Sequence, residues 1–482
     1  ELPGHAERLD VALRDSRPTT VLTTRAARES VVAFLDRVTG LDRPAIITID
    51  DVPDSAATEF VPTSIGVDDV SHLQYTGGAT RAPVGVEITH RAVGTNLVQM
   101  ILSIDLLDRN THGVSWLPLY HDMGLSMIGF PAVYGGHSTL LSPTAFLRRP
   151  LRWVEALSAG SATGRVVTAA PNFAYEWTAA RGVPAPGSDV DLANVVLIIG
   201  SEPVSRAAMD AFTAAFSGFG LPATAFKPSY GIAEATLLVA TTAPTAAPRA
   251  LAVDRDELAR GVAIPVPADD ERAVTHVSCG QVARSQWCVI VDPDTAGEVP
   301  DGRVGEPWVQ GDNVGRGYWN RVDETRRAFG AHLASTLATG SHATGADLSR
   351  TWLRTGDLGF YLDGELYVVG RIADVVVLGD RRYSPLDLEA TAADASPMVR
   401  RGYVAAFAIP GDRLVIVAER ATGLGRSDPA AAAEAVTAAV LQRHRATVSD
   451  VRIVPAGTIP RTTSGKLARR ACRDAYLAGE ID

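Results

Sequence analysis

Lysine is nearly missing from this chain: of its 45 basic residues only two are lysine, Lys227 and Lys466. A background that uses arginine almost everywhere implies that both positions need an ammonium, a compact point charge on a flexible stem. Cysteine is scarce too. Cys279, Cys288 and Cys472 are scattered and odd in number, which excludes a disulfide framework and a zinc cluster and fits a reducing cytoplasm. No apolar run is long enough to span a bilayer; the longest, such as Val195–Ile199, has the length of a strand, so no stable membrane insertion is expected. Positive charge is not in excess. A net charge of −10 argues against bulk attraction to nucleic acid or to an anionic membrane. The P-loop pattern G-x-x-x-x-G-K-[ST] is absent from the 482 residues, which excludes that route to phosphate binding. The start, Glu-Leu-Pro-Gly-His, has neither an initiator Met nor a basic region followed by an apolar one, and it reads as a start inside something larger. No internal repeat is present.

The length exceeds what one core supports, so two or more packed units are expected, and 46% hydrophobic residues mark a globular chain. Residues 1–371 alternate strand-like runs (44–49, 165–169, 195–199) with helical stretches (25–38, 206–215), the pattern of α/β layering. From about 280 to 371 the texture becomes β-rich, with Asp301-Gly302 and Asp363-Gly364 as turn signals. The segment 248–277 is polar and weakly periodic and reads as an insertion. Residues 333–350 are rich in small side chains and read as a surface loop. Residues 372–482 read as a second, small α+β domain whose Ala-rich stretch 430–444 is its clearest helix.

Five motifs carry chemistry. Gln74-Tyr75-Thr76-Gly77-Gly78-Ala79-Thr80-Arg81 lies between apolar stretches and suits a loop whose N–H groups wrap a phosphate, or an ordinary Gly turn. Trp116-Leu117-Pro118-Leu119-Tyr120-His121-Asp122-Met123-Gly124 places His121 at the head of an apolar helix, as a gate to a hydrophobic pocket or as a hydrogen-bonded core His. In Lys227-Pro228-Ser229-Tyr230-Gly231-Ile232-Ala233-Glu234, Tyr230 offers a flat face for adenine and Glu234 a hard oxygen ligand for Mg²⁺. Upstream, Gly200-Ser201-Glu202 ends a buried run, where ligands sit in open α/β sheets. In Arg354-Thr355-Gly356-Asp357, followed by Gly370-Arg371-Ile372-Ala373-Asp374, Asp357 is able to accept both ribose hydroxyls, and Arg371 reaches ribose or phosphate. Finally Thr462-Thr463-Ser464-Gly465-Lys466 sets a Gly just before the lone ammonium.

In this order the five motifs resemble the adenylate-forming superfamily of acyl-CoA synthetases, peptide-synthetase adenylation domains and luciferases. Leu-Pro-Leu-Tyr-His-Asp-Met-Gly at 117–124, the insertion before His276-Val277-Ser278-Cys279-Gly280, and Arg371-Ile372-Ala373-Asp374 resemble its fatty-acyl-AMP ligases, in particular the mycobacterial long-chain group of mycolic-acid synthesis. The resemblance implies a large multi-layer α/β domain with a β-rich subdomain and a small mobile α+β C-terminal domain. It also implies that the first part of the large domain is absent before Glu1, leaving core uncovered.

The implied reaction joins a long-chain fatty acid and MgATP to give acyl-AMP and pyrophosphate. The acyl group then passes to the phosphopantetheine thiol of an acyl carrier domain of a polyketide synthase. The resemblance assigns Lys466 to the attacking carboxylate and α-phosphate, and His121 to the border of the acyl tunnel. Thr76, Gly77, Gly78, Thr80, Ser201, Glu202, Ser229, Tyr230, Gly231, Asp357 and Arg371 fall to the nucleotide, and Glu234 to Mg²⁺. The small domain is expected to rotate about Arg371–Asp374, and the insertion to restrain that rotation so that CoA is used poorly. The phosphate loop lacks two hydroxyls of the family's Thr-Ser-Gly-Ser-Thr; each lost hydrogen bond to phosphate is expected to cost about 1.5–3 kcal/mol. A fatty-acyl-CoA ligase on the same fold, and an impaired homologue acting as a binding protein, are the alternatives.

Overall fold

The computed structural model describes residues 5–76, 83–107, 110–379, 381–421, 423, 428–461 and 467–481. Its centre is a seven-stranded sheet. In spatial order the strands are Gln281–Val282, Leu238–Thr241, Phe226–Gly231, Val195–Ile199, Val166–Ala170, His112–Ser115 and His137–Leu140. The middle strands run parallel in tight register, Val166 against Val195 and Leu197 against Phe226.

The unbroken run Val-Val-Leu-Ile-Ile at 195–199 is explained by burial on both faces, as parallel sheets require. Val195, Leu197 and Ile199 point into one cluster with Trp153, Tyr175, Phe212 and Phe216. Val196 and Ile198 point into another with Leu97, Met100, Met127 and Phe130. Helices 151–161, 172–181 and 206–216 cover the first face; helices 90–103 and 122–134 cover the second. The result is a three-layer α/β core, as the alternation of patterns predicts.

In the β-rich part, strands Asp357–Leu362 and Glu365–Arg371 are joined by Asp363-Gly364. Both turn residues are left-handed, with φ 51° and 75°, which is the primed two-residue turn that an Asp-Gly pair favours. Residues 333–350 contain no helix or strand, yet they are held. The buried carboxylate of Glu298 accepts the N–H of Leu337 and of His342 and the hydroxyl of Ser341.

The segment 248–277, read as an insertion, has regular structure. It is an antiparallel hairpin, Ala250–Asp254 with Ala273–Val277. Val253 is buried with Phe360 and Tyr367, and Asp254 caps the short helix Arg255–Leu258. Neither strand alternates apolar with polar residues, Ala-Leu-Ala-Val-Asp and Ala-Val-Thr-His-Val, so the period that marks a half-buried strand is missing.

Residues 376–481 enclose two hydrophobic clusters of their own. Strands Val399–Ile409, Arg413–Arg420 and Val448–Val454 form one sheet. Helices Pro385–Ala395 and Pro429–His444 pack on one face, and Arg469–Leu477 on the other. The Ala-rich helix starts with Asp428 accepting the Ala430 N–H and proline at its first turn, a strong local start signal. Among the described residues no helix is long and apolar enough to cross a membrane.

Candidate active site

Two central strands deliver their carboxyl ends to one place. Val195–Ile199 runs into Gly200-Ser201, and Phe226–Gly231 ends in Ser229-Tyr230-Gly231. All five of these residues line one pocket. Its deep wall is apolar, formed by Met100, Ile104, Met127, Ala169, Ile198 and Leu238, while Ser201, Ser229 and Thr241 bring hydroxyls. Such a cavity suits an alkyl chain with a polar head, and the unbranched methionines adapt to its shape. Ser201 is left-handed at φ 66° without being glycine, a strained backbone of the kind concentrated at functional sites. Gly231 has no alternative: a Cβ there would lie 1.9 Å from the Leu237 carbonyl oxygen.

Tyr230, Asp357 and Arg371, 141 positions apart at the extremes, form one cluster. The Tyr230 hydroxyl donates to Asp357 Oδ2 at 2.6 Å, and Arg371 Nε stands 3.2 Å from Asp357 Oδ1. Asp357 is buried, and burial pushes its carboxyl above the usual range, with Arg371 and the Tyr230 hydroxyl pulling the other way. The carboxylate in turn raises the Arg371 guanidinium. Arg371 is half exposed, so this pair is open to a ligand on its outer side.

Glu234 lies on a single 3₁₀ turn, Ala233–Ala235. Its Oε1 accepts the Tyr318 hydroxyl at 2.7 Å, and its charge adds to those raising Asp357. The next residues are locked: Thr236 is left-handed at φ 68° and its hydroxyl donates to the Asn313 carbonyl at 2.7 Å. Among the described residues no group of three or more His, Cys, Asp or Glu could hold a metal ion by itself. A lone, partly exposed carboxylate beside a nucleotide pocket fits Mg²⁺, which takes one or two carboxylates and leaves its other positions to phosphate and water. It does not fit a dedicated all-protein metal cage.

His121 caps the helix Asp122–Tyr134, its ring accepting the Met123 N–H, with Nδ1 2.7 Å from Asp122 Oδ1. The ring is not among the cavity-lining groups, but Met123, Ser126 and Met127 of the helix it caps are. Glu202 is likewise set back from the cavity, accepting the Asn172 N–H at 3.0 Å. It also attracts Arg461, on the approach to Lys466. Thr76 pairs with Val84 through its N–H at 3.0 Å, and Gln74 donates to the Tyr120 carbonyl at 2.9 Å, so the first two motifs adjoin. Gly77, Gly78, Thr80 and Lys466 lie outside the described residues. Tyr318 and Glu306 were missed by sequence reasoning, since neither stands in a recognisable pattern and their partners lie 84 and about 50 positions away.

Lys227 is a position that needs an ammonium, but for a structural reason. It is buried, and its Nζ donates to the carbonyls of Ala243, Pro244 and Ala246 at 2.7, 2.8 and 3.0 Å. Burial lowers it to about 8, so at neutral pH it keeps the three protons that satisfy three acceptors. The position needs an ammonium, but to fasten the loop after Leu238–Thr241. Lys227→Met is expected to destabilise the fold by about 3 kcal/mol or more, because each stranded acceptor costs ~1–3 kcal/mol. A thermal or urea unfolding midpoint matching the parent protein's would refute this.

A mainly parallel sheet carries, at the carboxyl edge of its parallel strands, an apolar pocket beside a tyrosine, carboxylate and guanidinium cluster, an arrangement that suits an adenylate-forming enzyme. Residues 4–319 match the family model described as AMP-binding enzyme, and the chain belongs to that family.

The chain is 43% identical over 506 aligned positions to the long-chain-fatty-acid–AMP ligase FadD32 of Mycolicibacterium smegmatis, covering 99% of this chain and 80% of the relative. It is 38% identical to the 4-hydroxyphenylalkanoate adenylyltransferase of Mycobacterium tuberculosis, covering 99% and 77%. Among solved structures, one from a study of fatty acyl-adenylate ligases of E. coli and L. pneumophila superposes with a TM-score of 0.83 at 27% identity, covering 98% and 81%. The L. pneumophila fatty acyl-adenylate ligase in complex with acyl adenylate and pyrophosphate gives 0.69 at 30% identity, covering 98% and 80%.

Proposed function

We propose that this enzyme activates a long-chain fatty acid with MgATP as acyl-AMP. The acyl group then passes to the phosphopantetheine thiol of an acyl carrier domain of a polyketide synthase in mycolic-type lipid synthesis, in the cytoplasm. The observation that carries the proposal is the adjacency of the apolar cavity to Tyr230, Asp357 and Arg371. An alkyl chain in that pocket and a nucleoside on that cluster would lie next to each other, which supports the reading.

In this reading the cavity from Met100 to Ser201 holds the acyl chain, with its carboxylate near the mouth. Tyr230 faces adenine, and Asp357 and Arg371 hold ribose. Ser229 and Gly231 border the nucleotide, and Gly77, Gly78 and Thr80 with Thr76 wrap phosphate. Glu234 holds Mg²⁺, which would neutralise phosphate charge. A fatty-acid carboxylate oxygen attacks the α-phosphorus in line, the bond from that phosphorus to the bridging oxygen breaks, and pyrophosphate leaves with the electron pair. No covalent enzyme intermediate is needed, so the residues act by positioning and by stabilising charge. Lys466, on the unit from residue 372 onward, is assigned to the developing charge between carboxylate and α-phosphate.

The test is ATP–pyrophosphate exchange with saturated acids of increasing length and, in parallel, with 4-hydroxyphenylalkanoates. Exchange rising with alkyl length is expected; exchange with the aromatic acids alone would overturn the substrate class, and none with any acid would overturn the reaction.

A further inference from the structure

The ribose pair Asp357 and Arg371 sits on a turn that is gripped from one buried carboxylate. Glu306 opens the strand Glu306–Gly311 and is buried. Its Oε2 accepts Trp308 Nε1 at 2.9 Å and Arg354 Nε at 3.0 Å. Its Oε1 accepts the Gly356 N–H at 2.9 Å.

Two further bonds tie the same segments, since the Thr355 hydroxyl reaches both the Pro307 carbonyl and the Asp357 N–H. Gly356 is left-handed at φ 69°, so the turn depends on glycine and on what holds it. On its other side the Gly356 carbonyl accepts the N–H of Ile372 at 2.9 Å, the residue that follows Arg371. One carboxylate therefore fixes Gly356, and Gly356 fixes the backbone at both Asp357 and Arg371–Ile372.

We propose that Glu306 is a positioning residue for nucleotide binding, which presets the Asp357–Arg371 pair for ribose and seats the start of the 372–374 segment. Glu306 touches no substrate; it acts by removing the freedom of the Gly356 turn before the nucleotide arrives, which is preorganisation of a binding group. The inference rests on the assignment of Asp357 and Arg371 to ribose.

Glu306→Gln keeps an acceptor for one donor but turns an amide against the others. Because ribose is held in ground and transition states alike, KM for ATP should rise about tenfold, with kcat and the KM for fatty acid within about twofold. ATP titrated calorimetrically should show the same loss without turnover. The acid limb of kcat/KM for ATP should also move to lower pH. The Glu306 charge, with Glu234, helps to hold the Asp357 carboxyl up against Arg371 and the Tyr230 hydroxyl.

Gly356→Ala has open space for its Cβ and only the left-handed strain to bear. It carries the test if Glu306→Gln does not fold, and it too should weaken ATP. Asp357→Ala separates the two ideas. If it loses ATP while Glu306→Gln and Gly356→Ala bind ATP normally, the positioning role is wrong; if all three bind ATP normally, the ribose assignment itself is wrong. Equal losses in both KM values, together with a lowered melting temperature, would reduce Glu306 to a purely structural role.

Discussion

Replacing Lys466 with alanine should slow acyl-adenylate formation by about 10²–10³-fold, the usual loss when one preorganised donor to developing charge is removed. The KM for ATP should change little, because an interaction made only in the transition state is lost from kcat. The described residues on either side of 462–466 are held to each other. Arg461 and Leu467 are bridged to each other, and the Ala468 N–H donates to the Pro460 carbonyl at 3.0 Å. The Arg461 guanidinium lies over the Tyr403 ring, 3.8 Å from its centroid.

Downstream, the Arg469 guanidinium forks onto Glu389 at 2.6 and 2.8 Å and reaches Asp374 at 3.3 Å. A rotation about residues 371–374 would therefore carry the base of the lysine loop with it. Single-turnover formation of acyl-AMP, followed with labelled ATP, measures the effect. A Lys466→Ala protein that adenylates at the parent rate would remove this residue from the chemistry.

How far the residues alone disclosed this follows from the distances over which each signal acts. The strand at 195–199, the Asp363-Gly364 turn and the helix at 429–444 were legible, because each is set by neighbours in sequence: an apolar run, a pair of left-handed turn residues, a cap and a proline. The cavity was legible only as an implication of the family pattern. Its lining converges from residue 100 to residue 241, and no local period encodes that. Scarcity of lysine pointed to two positions that need an ammonium, and Lys227 shows how such a signal divides. Three convergent carbonyls demand a compact three-proton donor as firmly as a phosphate does, and the carbonyls at 243–246 carry no side-chain signature. The Glu234–Tyr318 and Glu306–Gly356 bonds were invisible for the same reason. They join residues whose types are ordinary and whose proximity exists only after folding.

The second large effect concerns the hairpin at 250–277. Arg255, buried in it, places Nε 2.9 Å from Asp387 Oδ2, with side chains 7% and 15% exposed. Its other nitrogens donate to the carbonyls of Arg443 and Ala273. Nearby, the Arg382 N–H donates to the Ala259 carbonyl at 3.1 Å. The hairpin thus clasps two of the three helices of the C-terminal α+β unit, 385–395 near its start and 429–444 near its end.

Arg255→Ala leaves the largely buried Asp387 carboxylate with only the His444 ring, 3.7 Å away, in place of its guanidinium, and losing one partner of a buried pair costs about 3–5 kcal/mol. That loss falls on the junction, so amide exchange in 381–389 should accelerate while the central sheet stays protected. Freed to rotate, the C-terminal unit should also admit CoA, and acyl-CoA should accumulate where the parent protein stops at acyl-AMP.

Acid should loosen the same junction. His444, buried with Nε2 2.7 Å from the Thr391 hydroxyl, and His276 are both lowered to about 4 by burial. Between their unperturbed value near 6.5 and about 4 the unfolded chain binds protons that the native chain refuses, so stability falls as pH falls through that window. Protection of the 381–389 amides, corrected for the slower intrinsic exchange at low pH, should be lower at pH 5 than at pH 7 in the parent protein. An Arg255→Ala protein with unchanged exchange there and no gain in acyl-CoA would mean that the hairpin does not restrain the unit that carries Lys466.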